Sequence, residues 1–276
     1  MALRQTIVET SKTTLFDAIL ENESSDLLCT GFDEALTEAL ITELGERDDP
    51  PNVQLLTTES VLKWVRDDFI LASEAADLVE NEALSIRTGE SVSENQLIIT
   101  EESVISLVTA SEHTAGLPIE HEEFVAAVDE KWDERWDQAE EFSLRTPARS
   151  RVEETLSEEF GSEVEANFRA MLDAIGSTRE EETLGVVDAC LLVAAKHELL
   201  LYDISKWGEE VGVASKATFS RGKTNLEESG LIETEKVPIE VGRPRLRLLL
   251  GEDGLQDADI DDIPDVAQRL LSKISA

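Results

Sequence analysis

The stretch from 183 to 250 constrains the fold of this chain more than any other, because its hydrophobic pattern changes period in a definite order. "VVDACLLVAAKHELL" is apolar at helical spacing and predicts one helix. Ile204, Trp207, Gly208 and Val211 predict a second, with Gly208 as the small residue at its close contact. Gly212 follows at a turn, where a left-handed backbone favours glycine. Ser215 reads as the N-cap of a third helix, which runs to about Ser229 and is ended by Gly230. On that helix Phe219 and Leu226 face inward and leave Lys216, Thr218, Ser220 and Arg221 largely outside. "LIETEKVPIE" and "RPRLRLLL" then predict two strands joined around Val241 and Gly242.

Charge sets this block apart. The chain carries 61 Asp and Glu against 24 Lys and Arg, a formal net charge of -37, spread along its length. Two windows are free of acids. Residues 213–226 hold Lys216, Arg221 and Lys223; residues 241–250 hold Arg243, Arg245 and Arg247. An apolar content of 41% is enough for a core, so the acidity does not predict disorder. Such a surface self-repels unless salt shortens the Debye length to about 3 Å near 1 M. The composition therefore reads as halophilic and points to a salt-rich cytoplasm; an acidic mesophilic protein is the alternative.

A helix, a helix-turn-helix and a basic-tipped hairpin make the layout of a winged helix. "TFSRGKTNLEESGLI" resembles the recognition helix and following turn of many prokaryotic winged-helix regulators, and "GRPR" resembles their wing. A recognition helix enters the major groove, where Arg can pair with guanine and Ser or Thr can reach bases or phosphates. Wing arginines approach the backbone or the minor groove. The expected contacts to double-stranded promoter DNA are Ser215, Lys216, Thr218, Ser220, Arg221, Lys223, Arg243 and Arg245. The bland alternative is a winged helix used for protein contacts, which would make the chain an interaction adaptor.

Residues 1–145 alternate strand-like and helix-like runs and predict an α/β domain with a mixed sheet covered by helices. Thr6 to Leu20 reads as a helix, "DLLCTGF" as a strand, "FDEALTEALITEL" as a helix and "VQLLTT" as a strand. "ESVLKWVRDDFILASEAADLVEN" reads as one long helix, followed by strands in "ALSIRTG", "NQLIIT" and "SVISLVT", the last two forming a hairpin over Glu101 and Glu102. Phe124, Val128, Trp132, Trp136 and Phe142 form a stripe expected to pack on the sheet. "RTPARS" is a linker. Residues 146–182 are expected to be a helical connector with a break at Gly161. There Phe168, Met171, Leu172 and Ile175 form either a dimer seam or ordinary internal packing. Residues 251–276 are an acidic tail ending in a short helix capped by Asp262, with Val266, Leu270 and Ile274 on one face.

Sensor first and winged helix second, the whole chain resembles the haloarchaeal TbsP family of transcriptional regulators, related to TrmB-type sugar-responsive regulators. The first domain resembles a phospholipase-D-like half domain used for effector sensing. Phospholipase-D enzymes carry a His-x-Lys-x4-Asp motif; here Glu94, Gln96 and Glu101 stand in those places. Glu94 is no imidazole nucleophile and Gln96 supplies no cation, so the expectation is binding without catalysis. In an open α/β sheet, ligands sit outside the carboxyl ends of the strands. Those ends hold Thr30, Gly31, Thr57, Thr58, Ser60, Arg87 and Thr88. Helix N-termini and Arg87 favour an anion, so the expected effector is a small anionic metabolite such as a sugar phosphate; the alternative is that these residues only make turns.

No apolar run approaches the ~18 residues of a membrane span, and the N-terminus lacks a signal-peptide core. Cys29 and Cys190 read as buried thiols, and His113, His121 and His197 lie far apart. No metal and no cofactor is expected. The picture is a cytoplasmic homodimeric regulator of central carbon metabolism.

Overall fold

The structure, a computed structural model, describes residues 5–21, 26–89, 95–177, 184–238, 244–251, 255, 259–263 and 266–267. The chain forms two compact units, Met1–Ala148 and Arg149–Ala276.

Unit 1 is built on an eight-stranded mixed sheet. Its elements are β1 (Ile7–Glu9), α1 (Lys12–Leu20), β2 (Leu27–Thr30), α2 (Glu34–Gly45), β3 (Val53–Thr57), α3 (Glu59–Asp67), α4 (Phe69–Glu80), β4 (Leu84–Thr88), β5 (Gln96–Ile99), β6 (Val104–Ala110), β7 (His113–Ile119), α5 (Glu122–Gln138) and β8 (Glu140–Glu141). The strand order is β1-β7-β6-β5-β2-β3-β4-β8. β2, β3 and β4 run parallel, and the remaining pairs are antiparallel.

Side-chain alternation sorts the strands into two cores. Leu27, Cys29, Leu55, Ile98 and Ile105 pack with Phe16, Leu36, Leu40 and Leu71 of the first helices. Leu28, Leu56, Ile99 and Val104 pack with Val125, Trp132 and Trp136 of α5. The aromatic stripe therefore does meet the sheet through Val128, Trp132 and Trp136, and departs from expectation only at its two ends. Val125 is buried, whereas Phe124 is 45% exposed. Phe142 lies beyond α5 and joins the other core.

Two further expectations change in unit 1, and a strand that the sequence reading did not name is added. Residues 7–9 are not helical: "IVE" is β-branched and pairs with β7, so α1 starts only after Ser11. β7 itself, "HTAGLPI", has weak strand character and forms because β6 and β1 pair with it from both sides. The long helix after β3 is two helices, because the Asp68 carboxylate accepts the Leu71 N–H (3.1 Å) and starts a new one.

Unit 2 contains α6 (Arg149–Phe160), α7 (Ser162–Ser177), α8 (Val186–Lys196), α9 (Leu201–Val211), α10 (Lys216–Glu228), β9 (Ile232–Val237) and β10 (Arg245–Leu250). Gly161, at φ +98, separates α6 from α7. Phe168, Met171 and Leu172 are fully buried inside the unit, so these three side chains pack internally. β9 and β10 form the hairpin, with Arg245 opposite Val237 and Leu250 opposite Ile232. Leu200, between α8 and α9, makes an isolated antiparallel β-bridge to Arg247. In the tail a 3-10 turn over Ile260–Asp262 follows Asp259, and Ile263, Val266 and Ala267 beyond it are helical, so Asp262 stands directly before the helical residues, where the sequence places it. Leu270 and Ile274 lie outside the described residues.

Candidate nucleic-acid interface

Two glycines allow α10 to sit close against its neighbours. A Cβ on Gly208 of α9 would collide with the Phe219 ring, and one on Gly222 would stand 3.1 Å from Leu191 and Val187 of α8. The turn before α10 is held by one carbonyl: Gly208 O accepts the N–H groups of Gly212 (3.1 Å), Val213 (2.8 Å) and Ala214 (3.3 Å). Gly212 is left-handed at φ 98. Ser215 Oγ accepts the Thr218 N–H at 3.2 Å and caps the helix. Phe219 and Leu226 are buried beneath it, as their spacing predicts.

The opposite face is open. Ser215, Lys216, Ala217, Ser220, Arg221, Thr224 and Asn225 are exposed. Arg221 meets no carboxylate among the described residues; its Nη2 reaches only Thr218 Oγ1, at 3.4 Å. Thr224 and Asn225 were not among the expected contacts, although they fall three and four residues after Arg221 on the same face.

The other expected cations among the described residues are not free. Lys216 Nζ donates to Glu209 Oε2 (2.6 Å), and its backbone N–H donates to Glu209 Oε1 (3.3 Å). Their hydrogen bond raises the Lys216 pKa and lowers that of Glu209. Arg245 donates to Asp203 Oδ1 (3.0 Å) and lies over the Tyr202 ring, 4.1 Å from its centroid. Lys223 departs furthest from expectation. Its side chain is only 14% exposed and binds Glu227 Oε2 at 2.8 Å, so it lies on the inward flank of α10 and not on the outer face. Thr234 of β9 donates to the same Glu227 (2.7 Å), locking helix to hairpin. Arg247 lies between Glu235 (3.6 Å) and Glu198 (4.0 Å). Arg243 lies outside the described residues.

Unit 1 brings the carboxyl ends of β2, β3 and β4 side by side. Thr30 and Thr57 are completely buried there and cannot touch a ligand in this state. The Thr57 hydroxyl donates to Phe32 O (2.8 Å), while that of Thr30 has no partner among the described residues. Gly31 turns at φ 75. Thr58 caps α3, and its hydroxyl lies 2.9 Å from that of Ser60. Arg87 is committed: Nη1 donates to Trp136 O (2.6 Å), and the guanidinium lies over the Trp136 ring. A cavity of about 630 Å³ opens beside them, lined by Thr88, Gly89, Glu59, Arg135, Gln138 and Glu140 among others. Of the seven expected residues only Thr88 is in that lining. Arg135, Gln138 and Glu140 come from α5 and β8, whose position depends on β8 pairing with β4.

Gln96 opens β5 and Glu101 lies beyond its other end, with Gln96 Nε2 donating to Asp33 Oδ2 (3.2 Å); Glu94 lies outside the described residues. Both cysteines are free and buried, and burial raises their pKa values. Among the described residues no cluster of three or more His, Cys, Asp or Glu is placed to hold a metal ion, and no helix is long and apolar enough to cross a membrane.

Residues 4–147 match the family model described as transcriptional regulator TbsP-like, N-terminal. Residues 148–268 match that described as transcriptional regulator TbsP-like, C-terminal HTH domain. No curated protein matches the chain. Among solved structures it is similar to TrmBL2, an archaeal chromatin protein described as showing a novel mode of DNA binding. That match has 18% identity, covers 51% of this chain and 55% of that one, and has a TM-score of 0.37. The matched region spans about half the length of TrmBL2, and a likeness this distant carries no argument about function.

Proposed function

We propose, since this chain belongs to the TbsP-like family of transcriptional regulators, that it is a sequence-specific DNA-binding regulator whose reading surface is the outer face of α10. One observation carries the reading. In a chain of net charge -37, Arg221 stands exposed on a helix-turn-helix face with Ser220 and Thr224 beside it and no described carboxylate against it. Arg suits bidentate contact with guanine, and the neighbouring hydroxyls suit bases or phosphates. The chain acts as a homodimer on two half-sites about 34–36 Å apart, or multiples of that, each read by one winged helix.

The finer reading concerns unit 1, taken as a degenerate phospholipase-D-like sensor. The cavity beside Thr88 receives a small metabolite. Its anionic group lies toward Arg135 and the α3 N-terminus, where Glu59 is already paired with Lys63 (2.9 Å). A sugar phosphate fits that chemistry, and control of sugar metabolism rests on the resemblance to TrmB-type regulators alone. An effector acts only if it binds one arrangement of the winged helices better than another.

The test is selection of duplexes from genomic fragments at molar KCl by the wild-type chain and by R221A. The wild type should enrich a defined sequence, and R221A should lose about 10- to 100-fold of that discrimination. Equal enrichment by both would favour the adaptor reading. Calorimetric titration with sugar phosphates tests the sensor; no heat from any of them, with folded protein at molar salt, removes that part.

A further inference from the structure

A cleft of about 450 Å³ opens on unit 2 between the first turns of α9, the outer flank of α10 and the start of β10, with Tyr202, Ser205, Lys216, Ser220 and Arg245 in its lining. It thus joins the recognition helix to the base of the wing. Its two cations are both held by carboxylates from α9: Glu209 holds Lys216, and Asp203 holds Arg245. Glu209 does more than neutralise an ammonium. One of its oxygens accepts the Lys216 backbone N–H at the first turn of α10 while the other accepts Nζ. A phosphate would take the same two donors, because helix N-terminal N–H groups and a lysine together suit an oxyanion. Tyr202, 48% exposed, carries the Arg245 guanidinium over its ring at the other side.

We infer that this cleft seats one backbone phosphodiester of the bound duplex and that it loads by exchange, the phosphate displacing Glu209 from Lys216 and Asp203 from Arg245. The inference rests on the reading of α10 as a DNA-recognition helix. Tyr202 is a positioning residue, acting through Arg245. Exchange has a thermodynamic signature. A cation that neutralises a phosphate releases about 0.9 counter-ions from B-DNA. Each carboxylate set free in this acidic chain takes up a cation from solution, which offsets that release. Binding therefore depends on salt less steeply than its number of phosphate contacts demands, as suits a protein that has to hold DNA when counter-ion release is weak.

The experiment measures anisotropy of a labelled duplex recovered by the wild-type chain, over a KCl series, for the full-length wild type, D203N/E209Q, Y202A and R221A. E158Q/E159Q, on the exposed flank of α6, removes the same charge elsewhere. D203N/E209Q should bind more tightly at the lowest salt and steepen the slope of log K against log salt by about 1 to 2, while E158Q/E159Q keeps the wild-type slope. Y202A, with charge unchanged, should weaken binding several-fold on selected and unrelated duplexes alike. If D203N/E209Q and E158Q/E159Q share the wild-type slope while R221A alone loses discrimination, the cleft is not the phosphate seat and the DNA-reading assignment stands. If the wild type recovers no duplex, both fall. Should D203N/E209Q unfold, Y202A decides: unaltered binding by it overturns the proposal.

Discussion

Gly208 of α9 lies against the edge of the Phe219 ring of α10, so that a methyl group at Gly208 would stand 2.5 Å from Phe219 Cζ. Phe219 is fully buried and has no room to retreat. Substituting Gly208→Ala should therefore destabilise unit 2 by about 1–3 kcal/mol through overpacking. Hydrogen exchange resolved by peptide checks this, with protection lost over α9 and α10 and retained in unit 1.

Lys223 belongs to the fold rather than to the reading face. Lys223→Ala should lower the stability of unit 2 by about 1 kcal/mol, since its pair with Glu227 is partly sheltered. Its DNA affinity should stay within about twofold of wild type, well under the tenfold that 1.4 kcal/mol represents. Urea unfolding and anisotropy on the same preparation separate the two effects.

Asn167 and His197 join α7 to the end of α8, Nδ2 to Nε2 at 2.7 Å. Burial lowers the His197 pKa below its ordinary 6.5 in the folded chain. The unfolded state then binds the proton more readily, so this contribution is complete above about pH 6.5 and is lost as pH falls from there through the folded value. The wild type should lose stability over that window relative to H197Q, measured by urea unfolding at fixed KCl.

Arg87 anchors the end of α5 to β4 through the Trp136 carbonyl and ring. Arg87→Ala should cost unit 1 about 1.5–3 kcal/mol, the range for a hydrogen bond to a charged group. Heat of binding for any ligand of the Thr88 cavity should persist in the fraction that stays folded. Loss of binding with unchanged stability would instead make Arg87 a ligand contact.

Much of the DNA-facing half was legible because its signals are local. Ser215 caps, Gly212 and Gly230 turn, and Phe219 and Leu226 lie on one helical face, all within a few residues of the structure they specify. The expected effector site fared differently. Strand ends are readable, but which of their hydroxyls point into the interior depends on the sheet and on the helices laid over it. Thr30 and Thr57 therefore became core, and the cavity acquired Arg135 and Gln138 from a helix far along the chain and Glu140 from the short strand after it.

By itself the sequence determined the order of elements in the winged helix, the capping of its recognition helix and the outward placement of Arg221. Only the tertiary structure decided which basic groups stand free. The windows 213–226 and 241–250 contain no acid, yet Glu209 reaches Lys216 and Asp203 reaches Arg245 from α9. Charges interact across space rather than along the chain, and a carboxylate 42 positions away becomes a neighbour once α9 packs against the hairpin.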